Sequence, residues 1–102
     1  MSDPSASQRV TIINEKGLHA RASAKFAKLA CTYVAKVEVS HDEVTASARS
    51  IMDLLMLTAH MGVEIEIVGK GEDAAEAVTA LSSLVASGFG ELDEDEPPAA
   101  KT

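Results

Sequence analysis

His19 and Arg21 are the residues whose types and spacing can do chemistry. They stand in "GLHARASAKF", residues 17–26, where a strand-like pattern gives way to a helix-like one just after Gly17. The first turn of a helix leaves backbone N–H groups without internal partners, and the macrodipole adds about half a positive charge there. An anion is attracted to such a place and an imidazolium is disfavoured. A neutral His19 keeps a free ring nitrogen, which is a nucleophile. A phosphoryl group transferred to it would meet helix N–H groups and the Arg21 guanidinium, whose fixed donors suit phosphate oxygens. These are the ingredients of reversible phosphoryl transfer. Spacing alone also allows a plain surface or capping histidine, so both readings stand at this level.

A second stretch is "ARSIMDLLML", residues 48–57. Ser50 precedes a helical run and Asp53 follows three residues later, a capping pattern in which the hydroxyl accepts from the N–H of residue 53 and the carboxylate reaches back. A hydroxyl there can also take a phosphate, which adds about −1.5 to −2 charge and would turn away an acidic partner. Behind it Ile51, Met52, Leu54, Leu55, Met56 and Leu57 offer more apolar surface than one face against a sheet uses. Leu54 and Leu57 are expected in the core. Ile51, Met52 and Leu55 are expected to form a docking patch, where adaptable Met suits varied partners; the alternative sinks the whole helix in the core.

These stretches must be positioned by the rest of the chain. Four segments alternate apolar and polar residues at period two, the mark of strands with one wet face. They are "RVTIIN" with Val10 and Ile12, "AKVEVS" with Ala35, Val37 and Val39, "VTASAR" with Val44, Ala46 and Ala48, and "VEIEIVG" with Val63, Ile65 and Ile67. The polar turn "HDE" joins the middle two into a hairpin. Helical spacing covers 20–31, where Ala22, Phe26, Leu29 and Ala30 share a face, the short apolar 51–59, and 74–87, opened by Asp73 as N-cap and closed by Gly88. The order is βαββαβα. Strands with one apolar face place all three helices on one side of an antiparallel sheet, an open two-layer α/β (α+β) sandwich.

Composition bounds the remaining choices. A chain of 102 residues supports one compact core, and with 46% hydrophobic but only 3% aromatic residues that core is aliphatic. Residues 1–8 are polar and small, and residues 91–102 are acidic and then proline-bearing, so both read as disordered tails around a folded 9–90. The net charge of −7 argues against nucleic acid or an anionic membrane surface as partner. Much of that charge is local, because 91–102 holds Glu91, Asp93, Glu94, Asp95 and Glu96 against Lys101. The lone Cys31 cannot form an internal disulfide, no secretory signal is visible, and no apolar run approaches the roughly 20 residues that cross a bilayer. A soluble, cytoplasmic protein is expected. Cys31 reads as a packed thiol, and His41 and His60 as solvated residues whose spacing from His19 fits no metal-ligand set.

"NEKGLHARASAKF", followed about thirty residues on by "SIMDLLML", closely resembles the HPr family, the histidine-containing phosphocarriers of the bacterial phosphoenolpyruvate-dependent phosphotransferase system. The resemblance covers roughly 9–90. It implies an open-faced sandwich with a four-stranded antiparallel sheet and three helices, in agreement with the order above. It implies that His19 is phosphorylated on Nδ1, that Arg21 stabilises the phosphate, and that Ser50 matches the serine modified in some branches by an HPr serine kinase/phosphorylase. Ile51, Met52 and Leu55 match the docking helix, together with Ala20. The implied partners are Enzyme I as donor and an Enzyme IIA-type acceptor protein, with no cofactor, no metal and a monomeric chain.

Two departures carry information. The family usually has proline after the arginine, and here Ala22 stands there, which restores an N–H that can help hold phosphate. "GLHARASAKF" looks more like carriers of the nitrogen-related regulatory branch. Asp53 replaces a frequent glycine, strengthening the cap but placing a negative charge beside Ser50. Three functions follow: a phosphocarrier that is not itself an enzyme, a purely regulatory binding module switched at Ser50, and a small-molecule-binding or hydrolytic sandwich. His19 with Arg21 favours the first, and the lack of a second convergent polar cluster disfavours the third.

Overall fold

The computed structural model describes residues 4–90. β1 (Ser5–Thr11), β2 (Lys36–His41), β3 (Val44–Ser47) and β4 (Glu64–Lys70) form one sheet in the order β1-β4-β2-β3, with every neighbouring pair antiparallel. α1 (Ala20–Ala30), α2 (Ile51–Met56) and α3 (Ala74–Ala86) complete the βαββαβα order, and a 3-10 turn spans Gly88–Gly90. Val37 and Val39 of β2, Ala46 of β3, and Ile65 and Ile67 of β4 are buried, while Lys36, Glu38 and Glu64 are exposed. One face of the sheet therefore packs and the other meets water.

The helices cover the packed face. α3 lies on β1, β4 and β2, α2 lies on β3, and α1 packs against α2 and α3. Phe26, Leu54, Leu57, Leu81, Val85 and Phe89 are buried in this layer. Each contributes about 1.5–3 kcal/mol by leaving water. α3 ends at Ala86, and Gly88 takes a φ of 70° beyond the Ser87 cap, the left-handed conformation expected of it.

Several expectations are corrected. β1 begins at Ser5, so residues 5–8 are not a tail: Ser5 pairs with Lys70, Ala6 with Gly69, and the Gly71 N–H donates to Pro4 O at 2.8 Å. Ala6 is half-buried against the core, and ladder hydrogen bonds hold polar residues that composition alone marks as unstructured. Residues 91–102 lie outside the described residues. α2 stops at Met56 rather than near 59, because Leu57 is its cap and Thr58 turns left-handed at φ 50°. Val44, expected inward, is exposed where β3 begins, opposite His41.

Three side chains have different work from that expected. Asp73 sits at the start of α3 without capping it; its carboxylate instead accepts from the N–H groups of Val34 at 2.9 Å and Ala35 at 2.7 Å, tying the entry of β2 to α3. These backbone donors, the Val34 N–H first, hold its pKa below the ordinary aspartate value. Cys31 is exposed rather than packed, since it falls just past the last buried residue of α1, Ala30. His41 is half-buried, with Nδ1 3.0 Å from Leu57 O and Nε2 3.8 Å from an Asp42 carboxylate oxygen, so it bridges the hairpin to the end of α2.

Among the described residues, no helix is long and apolar enough to cross a membrane. Among them, no group of three or more His, Cys, Asp or Glu is placed to hold a metal.

Candidate functional site

The chain is steered into α1 by a short, heavily tied loop. Asn14 Nδ2 donates to Gly17 O at 2.9 Å, and the Gly17 N–H donates to Asn14 O at 3.1 Å. Gly17 takes a φ of 64°, and a Cβ there would come within 2.6 Å of Ala59 O and 2.7 Å of His60 Cα. Only glycine fits both the conformation and the space. Leu18 is buried as an anchor, its N–H donates to Ala59 O at 2.8 Å, and the buried Ser23 hydroxyl donates to Leu18 O at 3.2 Å. The connection between α2 and β4 thus buttresses the residue before His19.

His19 is the N-cap of α1. Its backbone is extended, at φ −81° and ψ −174°, and its Nδ1 accepts from the Arg21 N–H at 3.2 Å. In the neutral ring this places the proton on Nε2 and leaves the Nδ1 lone pair directed at the helix start. The first intrahelical bond runs from the Ser23 N–H to His19 O at 2.8 Å, so the N–H groups of Ala20, Arg21 and Ala22 precede it. No acidic side chain stands in the first turn. The half-buried ring, the positive end of the helix dipole and the exposed Arg21 make a place where a nucleophilic nitrogen and an anion are favoured together. Ala22, where a proline would remove a donor, is buried through its methyl group and keeps its N–H.

Ser50 caps α2 in the same way. Its Oγ accepts from the Asp53 N–H at 3.1 Å. The expected return reach of the Asp53 carboxylate is unnecessary, because the Ser50 N–H donates to Ser47 O at 3.1 Å. Next to it Arg49 donates from its guanidinium to Tyr33 O at 2.6 Å.

Beyond the cap, α2 divides as its pattern suggests. Leu54 and Leu57 are buried, Ile51 and Met52 are 42% and 71% exposed, and Leu55 is half-buried. His19, Ala20 and Arg21 are gathered in one helical turn, while Ser50, Ile51, Met52 and Leu55 lie on α2, which packs beside α1. Met56 was not singled out, yet it is 68% exposed on the same helix; its spacing of four from Met52 was the available signal. The buttress at Ala59 and His60 had no local signal, because it is a contact between segments forty residues apart.

Residues 6–87 match the family model described as the "PTS HPr component phosphorylation site". The chain is 45% identical over 84 residues to the phosphocarrier protein NPr of Shewanella violacea, covering 82% of this chain and 92% of that one. It is 46% identical over 81 residues to the phosphocarrier protein HPr of Cupriavidus necator, covering 79% and 91%. Among solved structures it resembles HPr-C-His from Thermoanaerobacter tengcongensis, with a TM-score of 0.81, 34% identity, and coverage of 84% of this chain and 97% of that one. A capping histidine at an anion-favouring helix start, in this fold and with these relatives, leads to one conclusion: the chain belongs to the HPr family of phosphocarrier proteins, whose relatives here include its nitrogen-related NPr branch.

Proposed function

We propose that this phosphocarrier takes a phosphoryl group from phosphorylated Enzyme I on Nδ1 of His19 and passes it to an Enzyme IIA-type protein. The observation that carries this reading is the placement of Nδ1 at the N-cap of α1, accepting from the Arg21 N–H. On transfer the Nδ1–P bond forms as the donor's bond to phosphorus breaks, and delivery to the acceptor reverses this. The Arg21 N–H then has a phosphate oxygen to meet in place of the nitrogen lone pair, and the helix dipole and the Arg21 guanidinium offset the added charge. The neighbouring N–H of Ala22 adds a donor that a proline would lack.

In this reading the chain is a substrate of Enzyme I rather than a catalyst with its own turnover. It works in the cytoplasm as a monomer. Ala20, Ile51, Met52 and Leu55 form the surface on which donor and acceptor dock in turn. Identity does not divide the branches, since NPr and HPr relatives stand at 45% and 46%. Ala22 is the residue that points to nitrogen-related regulation.

Ser50 is proposed as a secondary regulatory position, the target of an HPr serine kinase/phosphorylase. Its hydroxyl lies at the head of the exposed Ile51–Met52 surface, so a phosphate there would put charge beside the docking patch. The test of the main reading is incubation with phosphoenolpyruvate and the cognate Enzyme I, comparing the native chain with His19→Ala and Ser50→Ala. Acid-labile phosphate is expected on the native chain and on Ser50→Ala and absent from His19→Ala. Absence of label from the native chain overturns it.

A further inference from the structure

Along the C-terminal half of α1, at the other end of the helix from His19, a groove of about 360 Å³ runs between α1 and α3, lined by Lys25, Lys28, Leu29, Thr32 and Leu84. Leu29 and Leu84 are half-buried there, packed against the core yet open outward. α1 contains no acid, and neither does α3 from Thr79 to Ala86, so the helix segments that line the groove contribute basic but no acidic side chains. Lys28 lies in the last turn of α1, and Lys25 three residues earlier shares its side of the helix.

The chain leaves the described domain at this same place. Lys25 Nζ donates to Phe89 O at 2.9 Å, and a Cβ on Gly90 would lie 3.7 Å from that Nζ. The next residues are Glu91, Leu92, Asp93, Glu94, Asp95 and Glu96, a single leucine among five acids. An extended chain advances about 3.3–3.6 Å per residue, so Leu92 comes within reach of the groove two steps beyond Gly90.

We propose that the α1–α3 groove is a docking surface for the acidic segment 91–102 of this same chain, with Leu92 against Leu29 and Leu84 and other acids of the segment toward the lysine side of the groove. The tether supplies an effective concentration in the millimolar range, so weak contacts suffice in cis. The segment thereby shields the basic flank of the helix that begins at His19. An acidic, leucine-bearing stretch of another protein would have to displace it to use the groove.

The experiment is NMR on the full chain with 15N label, comparing the native sequence with Leu92→Ser and Lys28→Glu. Lys28 is exposed, and Leu92 follows the last described residue, Gly90, in sequence, so neither change touches the described core. The expected result is loss of ordered heteronuclear NOE values across residues 92–95 in both variants. Amides of Leu29 and Thr32, which are remote from Leu92 in sequence, should shift in Leu92→Ser, and so should that of Leu84. Raising ionic strength from 0.1 M to 1 M shortens the screening length from about 10 Å to about 3 Å and should reproduce the loss in the native chain. Coil-like values across 92–95 in the native chain, or groove amides unmoved by Leu92→Ser, overturn the proposal. Groove shifts that grow with protein concentration assign the groove to a second copy and overturn it too. So does saturation of an empty native groove by an added peptide of sequence 91–102.

Discussion

The backbone N–H of Arg21 donates to Nδ1 of His19 at 3.2 Å, so the residue that caps α1 also presents its ring lone pair at the positive end of that helix. Capping and chemistry are therefore not rival roles for His19. In the neutral ring the cap makes Nδ1 the accepting nitrogen, and it holds the ring where arriving negative charge is favoured. A side chain that caps equally well but is not a nucleophile separates the two roles.

His19→Asn is that side chain, since asparagine is among the best N-cap residues. Stability should stay within about 0.5 kcal/mol of native or rise, whereas His19→Ala should lose about 0.5–2 kcal/mol. Both should fail to take up phosphate from Enzyme I. Urea unfolding read beside phosphate labelling checks the pair, and an asparagine variant that still carries acid-labile phosphate contradicts the assignment.

Gly17→Ala should be destabilising even though the added group is one methyl. The methyl meets Ala59 O and His60 Cα, both backbone atoms that cannot swing aside, and the φ of 64° is strained for alanine. A cost of about 1–3 kcal/mol is expected from the backbone conformation alone, with the clash adding to it. Because the displaced loop carries His19, phosphorylation by Enzyme I should slow under conditions where the variant remains folded. Thermal unfolding and initial labelling rates measure the two effects.

Ser50→Ala removes the acceptor for the Asp53 N–H and should cost about 0.5–2 kcal/mol. Faster hydrogen exchange should be concentrated in α2. Labelling at His19 should persist, which distinguishes loss of a cap from loss of the phosphate acceptor.

Met52→Asp tests the docking surface. At 71% exposure the side chain contributes little to the core, so stability should change by no more than about 0.5 kcal/mol. The KM for Enzyme I-dependent phosphorylation should rise several-fold with kcat less affected. An unchanged KM places the partner surface elsewhere.

Asp73 gives the fold an acid-sensitive tie. Its carboxylate is held below the ordinary aspartate pKa, chiefly by the Val34 N–H and further by that of Ala35, with the Arg49 charge adding to them. A carboxyl depressed in the folded state contributes stability that is fully present above the unfolded value, near 3.8, and is lost as pH falls through the lower folded value. Asp73→Asn should therefore be destabilised at neutral pH and should show a flatter acid limb below about pH 4. Urea midpoints of both proteins between about pH 2 and pH 7 measure this.

Much of the fold, and the local geometry of the candidate site, is legible because it rests on local patterns. Alternation placed Val37, Val39, Ile65 and Ile67 on the buried face, and Ser50 followed by a helical run marked a cap that the hydroxyl makes as expected. The two residues expected from α2 in the core, Leu54 and Leu57, are there. What escaped the sequence depends on contacts between distant segments. Ser5 to Gln8 are polar, yet β4 recruits them into the sheet through backbone pairing that side-chain composition does not reveal. Asp73 looked like a helix cap because aspartate before a helix usually is one; its carboxylate turns instead to a loop 38 and 39 residues away. His41 read as a solvated turn residue for the same reason, since its partner Leu57 O is supplied by another element. At the candidate site, His19 and Arg21 stand out by type and spacing, while the Ala59 and His60 backbone that buttresses Gly17 and Leu18 beside them does not.

The most direct test of the central claim is to phosphorylate the native chain with phosphoenolpyruvate and Enzyme I and to assign the phosphorylated nitrogen by two-dimensional NMR of 15N-histidine-labelled protein. The account predicts an Nδ1-phosphohistidine at His19, with the ring signals of His41 and His60 unchanged. Phosphate on Nε2 of His19, on either other histidine, or on no histidine would contradict it.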